Sequence, residues 1–373
     1  MSDDDPGAGL LETALRDLGV DEDEIARAAK DGTLTLVALD RIVQPEPGCY
    51  DLDEISEQTG LSTDLLERMW RSLGYPEPRS GDKVFNESDV EILGTVGRLV
   101  ELNPEREQLV LQVSRVIGSS MARVASAQVD VIAGPAALAD DRRLNDDERA
   151  VTSVGSLMPL MPKVLDQVWR RHLQAAARRR MSEVTETGRI QVVVGFADLV
   201  GFTALSQKLN EVELSGVVGQ FEALAYDVIT SGGGRVVKTI GDEVMFSVAS
   251  PKAAAEIALA LSEGTRASDE LSDVRVGMAL GPVIDREADL FGPVVNLASR
   301  ITVIALPGSV VVDAELAGRL AGDPAYVIKP MRPRYLKHIG RVPLYVLRRA
   351  HPDEYSRFSD RRQALRDAVR ARF

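Results

Sequence analysis

The sequence predicts an all-α domain followed by an α+β domain of the ferredoxin-like βαββαβ type. Residues 1 to about 150 carry apolar side chains at helical spacing throughout. After residue 189, β-branched runs alternate with longer helical stretches, and two runs end in an aspartate at a sharp turn. We therefore divide the chain into a helical domain (1–150), a linker helix and joint (151–188), the α+β domain (189–349) and a helical tail (350–373).

The helices of the first domain are separated by breaks such as PEPG (45–48) and GYP (74–76). A longer helix is predicted from about residue 105 to 133. Its Gly118-Ser119-Ser120 run would let another helix pack closely, either from a partner or, more commonly, within the same core. The other predicted helices are 10–18, 24–29, 34–42, 53–59, 63–73 and 87–102.

Residues 53–75 resemble the helix-turn-helix of winged-helix regulators, with Gly60 at the turn and Ser62 as the cap of the second helix. A DNA-reading helix presents Arg or Lys to phosphates and bases. This helix instead mixes acidic residues with Arg68 and Arg71, inside an acidic domain. We expect a structural or regulatory use of the motif rather than DNA binding.

The joint is predicted to be a helix from the Pro159 and Pro162 breaks to about residue 181. It ends in three arginines (178–180), which suit either an anionic surface or, as we prefer, the negative end of the helix dipole. His172 lies in this helix, and histidine titrates between about pH 5 and 8. It is a candidate proton sensor, and the alternative is an ordinary solvated histidine.

In the α+β domain we expect a mostly antiparallel sheet with helices on one side. The predicted helices are 204–229, 251–264 and 293–304. The predicted strands are 190–196, 235–240, 244–248, 274–279, 309–312, 327–330 and 344–348.

Two motifs place an aspartate at a strand end: FADLVGFT (196–203) contains Asp198, and KTIGDEVMF (238–246) contains Asp242. Either aspartate alone is typical of a turn cap. Together, on two strands of one sheet, such carboxylates suit a pair of Mg²⁺ ions that bridge nucleotide phosphates. Backbone N–H groups of Gly201, Phe202 and Thr203 would suit phosphate oxygens.

A third motif, DLFGPVVNLASR (289–300), contains a helix start at Gly292-Pro293. Asn296 and Arg300 then lie four residues apart on one helix face. An amide and a guanidinium so placed can steady a developing charge, although a solvated polar stripe gives the same pattern.

These three segments, in this order, closely resemble the catalytic domain of the class III adenylate/guanylate cyclases over about residues 189–349. The resemblance implies two Mg²⁺ or Mn²⁺ ions per active site, held by Asp198, Leu199 and Asp242. It implies that Asn296 and Arg300 orient the ribose and stabilise the transition state. All these positions carry the expected residue types.

The resemblance also implies that Lys238 and Asp289 recognise the base and that Lys337, in RYLKHIG, contacts phosphate, although His338 replaces the usual glycine there. Lys238 offers a donor to adenine N1, and Asp289 accepts from the exocyclic amine. Guanine presents the opposite pattern, so ATP is expected rather than GTP. The alternatives are a guanylate cyclase and a nucleotide-binding regulator without turnover.

The family builds its sites from two subunits, so a homodimer is expected. The region before the joint resembles the N-terminal regulatory domain of soluble actinobacterial adenylate cyclases. That resemblance implies regulation by a small-molecule or proton effector, with pH as one such signal. A fused transcription regulator is the alternative.

Composition sets the remaining expectations. A formal net charge of −13 over 373 residues argues against a nucleic-acid partner. No apolar run has the length of a membrane span. A single cysteine, Cys49, excludes an intramolecular disulfide and fits a reducing cytoplasm.

Overall fold

The computed structural model describes residues 6–103, 105–133, 146–182 and 190–350. The chain divides into two compact units, Met1–Ala175 and Ala176–Phe373. Residues 183–189 of the predicted joint and the predicted tail after Ala350 lie outside the described residues. Among the described residues, no helix combines the length and apolar character needed to cross a membrane.

The first unit is helical, as predicted. Its first core packs α1 to α3 with α8 around buried residues that include Leu15 and Ile25. Its helices are α1 (Pro6–Asp17), α2 (Glu22–Asp31), α3 (Leu34–Val43), α4 (Leu52–Thr59), α5 (Thr63–Ser72), α6 (Glu87–Leu102), α7 (Arg106–Ala133), α8 (Asp146–Leu157) and α9 (Met161–Ser182), of which α9 continues past the unit boundary.

The second core of this unit is the predicted helix-turn-helix. Gly60 ends α4 in the left-handed conformation (φ 73°), which glycine adopts without strain. The Ser62 hydroxyl accepts a hydrogen bond from the Leu65 amide and so caps α5. A β-bridge pairs Phe85, in the loop after α5, with Tyr50, just before α4. The end of that loop therefore lies beside the start of the helix-turn-helix.

The cations on α5 are held by carboxylates of their own unit. Arg68 lies 2.6 Å from Glu107, and Arg71 lies 3.1 Å from Glu77. Phosphate contacts would have to break these pairs, so the structure gives no support to a DNA-reading role.

The small-residue run of α7 packs inside this unit. A Cβ added at Gly118 would lie 2.3 Å from the Leu73 carbonyl oxygen, immediately after α5. The close approach expected from the sequence is therefore made to an element of the same chain.

The second unit is an α+β domain. Its order is β1 (Ile190–Leu199), α10 (Phe202–Ser206), α11 (Glu211–Ser231), β2 (Arg235–Ile240), β3 (Glu243–Val248), α12 (Pro251–Ala267), β4 (Val274–Arg286), β5 (Asp289–Phe291), α13 (Pro293–Ile304), β6 (Val310–Asp313), α14 (Ala314–Leu320), β7 (Tyr326–Pro330), β8 (Arg334–Leu336), β9 (Gly340–Val342) and β10 (Leu344–Arg349).

The sheet order is β2-β3-β1-β4-β6-β10-β7, and within it only β4 and β6 pair in parallel. The first four of these strands, with α11 and α12, give the predicted ferredoxin-like βαββαβ arrangement. The predicted fold class, with its helical first domain, is confirmed.

Helices cover both faces of the sheet, so the expectation of one covered side was wrong. One face packs against α11, α12 and α14 around residues such as Val193 and Phe246. The other packs against α13 around residues such as Val194 and Ala298. Because neighbouring residues of β1 point to opposite faces, and both sets are apolar, each face needs its own cover. We call the second of these the α13 face.

Several elements of this domain differ from the prediction. The helix predicted over 204–229 is two helices, because Asn210 caps α11 with Glu213 in a capping box. The strand predicted over 274–279 continues to Arg286 and pairs with β5, which the sequence placed within a helix-start motif. Strands β8 and β9 are three residues each, too short to show a period.

Candidate active site

The two predicted aspartates lie at one edge of the sheet. Asp198 is the penultimate residue of β1, and Asp242 lies in the tight β2–β3 turn after Gly241 (φ 62°). The Leu199 amide donates to the Asp242 carbonyl oxygen at 3.2 Å, and Asp198 stands opposite Glu243 across the β1–β3 ladder. The structure therefore brings Asp198, Leu199 and Asp242 together, as the motifs predict for neighbouring strand ends.

The site is short of positive charge. Burial raises the pKa of Asp242, and the charge of Asp198 raises it further. Burial raises the pKa of Glu243 to about 7, with Asp198 and Asp242 as further causes. Arg275 opposes both shifts but does not cancel them.

This electrostatic situation fits a divalent cation. Carboxylates that repel one another at a half-buried strand end gain most from a hard cation, whose preferred ligands are oxygens. Among the described residues, no group of three or more His, Cys, Asp or Glu side chains is arranged to hold a metal by itself. The two aspartates and the Leu199 carbonyl would therefore share the ion with oxygens of a bound substrate.

Arg275 is a site residue that the sequence analysis missed. It lies opposite Asp198 on β4, and its guanidinium contacts the Asp198 carboxylate at 2.5 and 2.6 Å. It comes from a strand 77 positions later in the chain, so no local spacing connects the two residues. The register of β1 against β4 is the information that would have identified it.

The predicted base-reading residues lie side by side. Lys238 on β2 contacts the Asp289 carboxylate at 2.5 Å, and both side chains are half-buried. The second Asp289 oxygen accepts from the Leu290 amide at 2.8 Å. The structure thus places a donor and an acceptor together at one edge, as hydrogen bonding to two neighbouring base atoms requires.

Helix α13 carries Asn296 and Arg300, both exposed. Its close approach to the sheet depends on Gly277 of β4, where a Cβ would lie 2.3 Å from the Thr302 amide nitrogen. Asp198 follows Phe196 by two residues on β1, and Lys238 pairs with Met245; Phe196 and Met245 both belong to the core beneath α13. Strand alternation therefore turns Asp198 and Lys238 to the α13 face.

The helix that follows the predicted phosphate-binding turn starts two residues earlier than expected. Gly201 (φ 77°) caps α10, which begins at Phe202 rather than at Ala204. Gly201 and Thr203 are exposed, and the Ala204 and Leu205 amides donate back to the Gly201 carbonyl. Their contact with phosphate stays a prediction.

Two further predicted residues lie apart from these groups. Lys337 is exposed in the turn between β8 and β9, next to His338, which takes the left-handed conformation (φ 65°) in place of glycine. His172 is exposed on α9, in the helical unit.

Comparison with known proteins accounts for both units. A family described as the adenylate cyclase regulatory domain matches residues 8–177. A second, the adenylate and guanylate cyclase catalytic domain, matches residues 184–349.

Several relatives match most of the chain. An adenylate cyclase of Streptomyces coelicolor is 35% identical over 86% of this chain and 84% of its own length. An adenylate cyclase of Glutamicibacter nicotianae is 32% identical over 79% of this chain and 77% of its own length. A pH-sensitive adenylate cyclase of Mycobacterium tuberculosis is 32% identical over 92% of this chain and 88% of its own length.

Proposed function

The chain belongs to the adenylate and guanylate cyclase family, and from that premise we propose that it converts ATP into 3′,5′-cyclic AMP and diphosphate. The observation that carries the choice of ATP is the Lys238–Asp289 pair. A cationic donor and an anionic acceptor, in contact at 2.5 Å, match N1 and the exocyclic amine of adenine. The names of the relatives support the same substrate.

The reaction joins the ribose 3′-oxygen to the α-phosphorus and breaks the bond between the α-phosphorus and the diphosphate oxygen. Two bound divalent cations would lower the pKa of the 3′-hydroxyl and offset charge on the triphosphate. Asp198, Asp242 and the Leu199 carbonyl would hold them. The 3′-hydroxyl would lose its proton to water, and the diphosphate would leave with the electron pair of the broken bond.

Arg300 would stabilise negative charge that develops at the α-phosphate, and Asn296, one helical turn away, would orient the ribose. Amides of the 201–203 turn and Lys337 are proposed to contact the phosphates. Arg275 neutralises Asp198 in the free protein. With divalent cations bound, the Arg275 guanidinium, which also donates to the Val303 carbonyl oxygen at 3.4 Å, would be a further positive charge near the triphosphate.

We propose that two copies build each site. One copy would supply Asp198 and Asp242, and the other would supply Lys238, Asp289, Asn296 and Arg300. A two-fold axis would then give two equivalent sites. The exposure of Asn296 and Arg300 in the single chain supports this, because both are open to a partner.

The specificity prediction reverses the hydrogen-bond pattern of the base site. The variant Lys238→Glu/Asp289→Cys should lose about tenfold or more in kcat/KM for ATP, since each mispaired polar group costs on the order of 1–3 kcal/mol. Its activity with GTP should rise relative to ATP. The measurement is cyclic AMP and cyclic GMP formation by purified protein with Mg²⁺ or Mn²⁺.

The control is Lys252→Glu, which reverses the charge of a lysine on α12 that pairs with Asp323 and is 64% exposed. It should leave both activities unchanged. An unaltered kcat/KM for ATP in the double variant would show that these residues do not read the base. Wild-type protein that forms only cyclic GMP would overturn the choice of ATP.

We further propose that the helical unit regulates turnover through α9. This helix ends at Ser182, and β1, which carries Asp198, begins at Ile190, so a shift of α9 has a short covalent route to the metal ligands. The match to a regulatory-domain family and to a pH-sensitive relative supports regulation with protons as the effector. Because His172 is exposed on α9, a proton can reach it.

The regulatory prediction compares pH–activity profiles of the full chain, a chain lacking residues 1–150, and His172→Ala. Removal of the helical domain should flatten the response between about pH 5 and 8, where histidine titrates. A flattened profile in His172→Ala as well would place the sensor on α9. Superimposable profiles of full and truncated chains would contradict proton regulation.

A further inference from the structure

A second set of polar contacts, next to the Lys238–Asp289 pair, connects β2 to the β4–β5 hairpin. Arg235, the first residue of β2, donates to the Ala288 carbonyl oxygen at 3.2 Å. Its other terminal nitrogen lies 3.5 Å from the Asp285 carboxylate. The Arg235 side chain is only 23% exposed, so the guanidinium is packed against the hairpin rather than extended into solvent.

Several features of the hairpin make an added contact with β2 useful. Strand β5 has three residues, pairs with β4 alone and lies off the main path of the sheet. The turn residues Glu287 and Ala288 are both left-handed (φ 55° and 62°), which is unfavourable for residues other than glycine. The outward-facing pair Ile284 and Phe291 is exposed by 66% and 50%. Leu290 of β5, 4% exposed, anchors the hairpin in the core beneath α13, but a two-stranded ribbon with one exposed face is marginally stable by itself.

The functional importance comes from what the hairpin carries. Asp289 directly follows Ala288, and in the free protein its carboxylate is held by Lys238. To read a base, Lys238 and Asp289 must turn from each other towards the base atoms, so their mutual contact is lost. Arg235 contacts Ala288 and Asp285 rather than Asp289. Its contacts therefore remain when the Lys238–Asp289 contact is lost.

We propose that Arg235 is a positioning residue for base selection. It fixes the β4–β5 hairpin to β2 so that Asp289 stays at the right distance from Lys238 once a nucleotide lies between them. This inference rests on the proposed function, since it needs Asp289 to read the base. Without Arg235, ordering of the hairpin must be supplied by the nucleotide at the moment of binding.

The test is Arg235→Ala, measured by kcat and KM for ATP and GTP. We expect KM for ATP to rise about five- to tenfold, as for one or two lost charge-assisted hydrogen bonds. The ratio of kcat/KM for ATP to that for GTP should fall by a similar factor. Since Arg235 touches no reacting atom, kcat at saturating ATP should stay within about twofold. Arg235→Lys, which keeps the charge and one donor, should recover part of the loss.

The matched control is Arg286→Ala, on the same hairpin. Arg286 is 63% exposed and pairs only loosely, at 3.6 Å, with its neighbour Glu287. It should leave KM and the ATP-to-GTP ratio unchanged. If Arg235→Ala folds poorly, Asp285→Ala removes the other end of the ion pair from the hairpin side and should shift the same ratio in the same direction.

A double-mutant cycle separates the hypothesis that Arg235 positions Asp289 from the proposal that Asp289 reads the base. If Arg235 acts through Asp289, Arg235→Ala should add little to the loss of selectivity in Asp289→Ala. Selectivity lost in Asp289→Ala but retained in Arg235→Ala and Asp285→Ala would overturn this inference alone. Selectivity retained in Asp289→Ala itself would instead overturn the proposed base site. A lower melting temperature and lower kcat, with an unaltered ATP-to-GTP ratio, would make Arg235 merely structural.

Discussion

Replacement of either Asp198 or Asp242 by alanine is expected to abolish cyclic AMP formation while the fold is retained. A bound divalent cation contributes several kcal/mol to such a reaction, so the loss should reach about three orders of magnitude. Both carboxylates lie at strand ends, where their removal takes away little packing. Activity is measured with Mg²⁺ and with Mn²⁺, and folding is followed by thermal unfolding.

The pKa of Asp242 gives this experiment a second readout. Burial raises that pKa, so ionised Asp242 opposes folding, and the cost is present above its folded pKa and vanishes below its unfolded pKa. Asp242→Asn should therefore melt no lower than wild type at pH 8. Asp198→Ala should melt lower, because it leaves the half-buried Arg275 without its carboxylate.

The control is Asp273→Ala, at the same edge of the sheet. The Asp273 side chain is 43% exposed and lies 4.0 Å from Arg266, while its backbone carbonyl accepts from Val200 in any variant. Activity should be unchanged. More than a few per cent of wild-type activity in Asp198→Ala or Asp242→Ala would be incompatible with the proposal that they are metal ligands.

Mixing two inactive variants is expected to restore activity. In a dimer of Asp198→Ala with Arg300→Ala, one site combines both defects and the other has every part. Random exchange makes about half of the dimers mixed, each with one intact site, so activity should approach about one quarter of wild type. The measurement is cyclic AMP formation after the two proteins are co-refolded or co-expressed, with heterodimers verified by two affinity tags.

The matched negative control mixes Asp198→Ala with Asp242→Ala. Each site takes both aspartates from one copy, and each copy of this mixed dimer lacks one of them. No mixed dimer therefore has an intact site. This mixture should stay inactive. If verified heterodimers of Asp198→Ala with Arg300→Ala are also inactive, each chain builds its site alone and the two-copy proposal fails.

Local sequence was sufficient where one short segment carries both the pattern and the chemistry. The cap and turn residues Ser62 and Gly60 predicted the start of α5 and the end of α4. The Gly292-Pro293 step predicted the start of α13, and the predicted 293–304 range is the observed one. In each case the deciding interactions run over a few residues along the chain.

Sequence was insufficient where strand pairing decides. Strand β1 is apolar on both sides, so each face of the sheet has its own core. The run of Val residues in β1 does not show which helix covers which face. The pairing of β4 with β5 was missed because the second strand has three residues.

For this protein, the sequence by itself determined the family, the helical and α+β order, and the residue types at each expected site position. The family came from the resemblance of three short motifs, and the other features are local and follow from spacing along the chain. Only the tertiary structure decided which charges meet: Arg275 with Asp198, Lys238 with Asp289, and Arg235 with the hairpin that carries Asp289. These partners lie 77, 51 and 53 positions apart, and they meet because β-sheet register brings distant strands together.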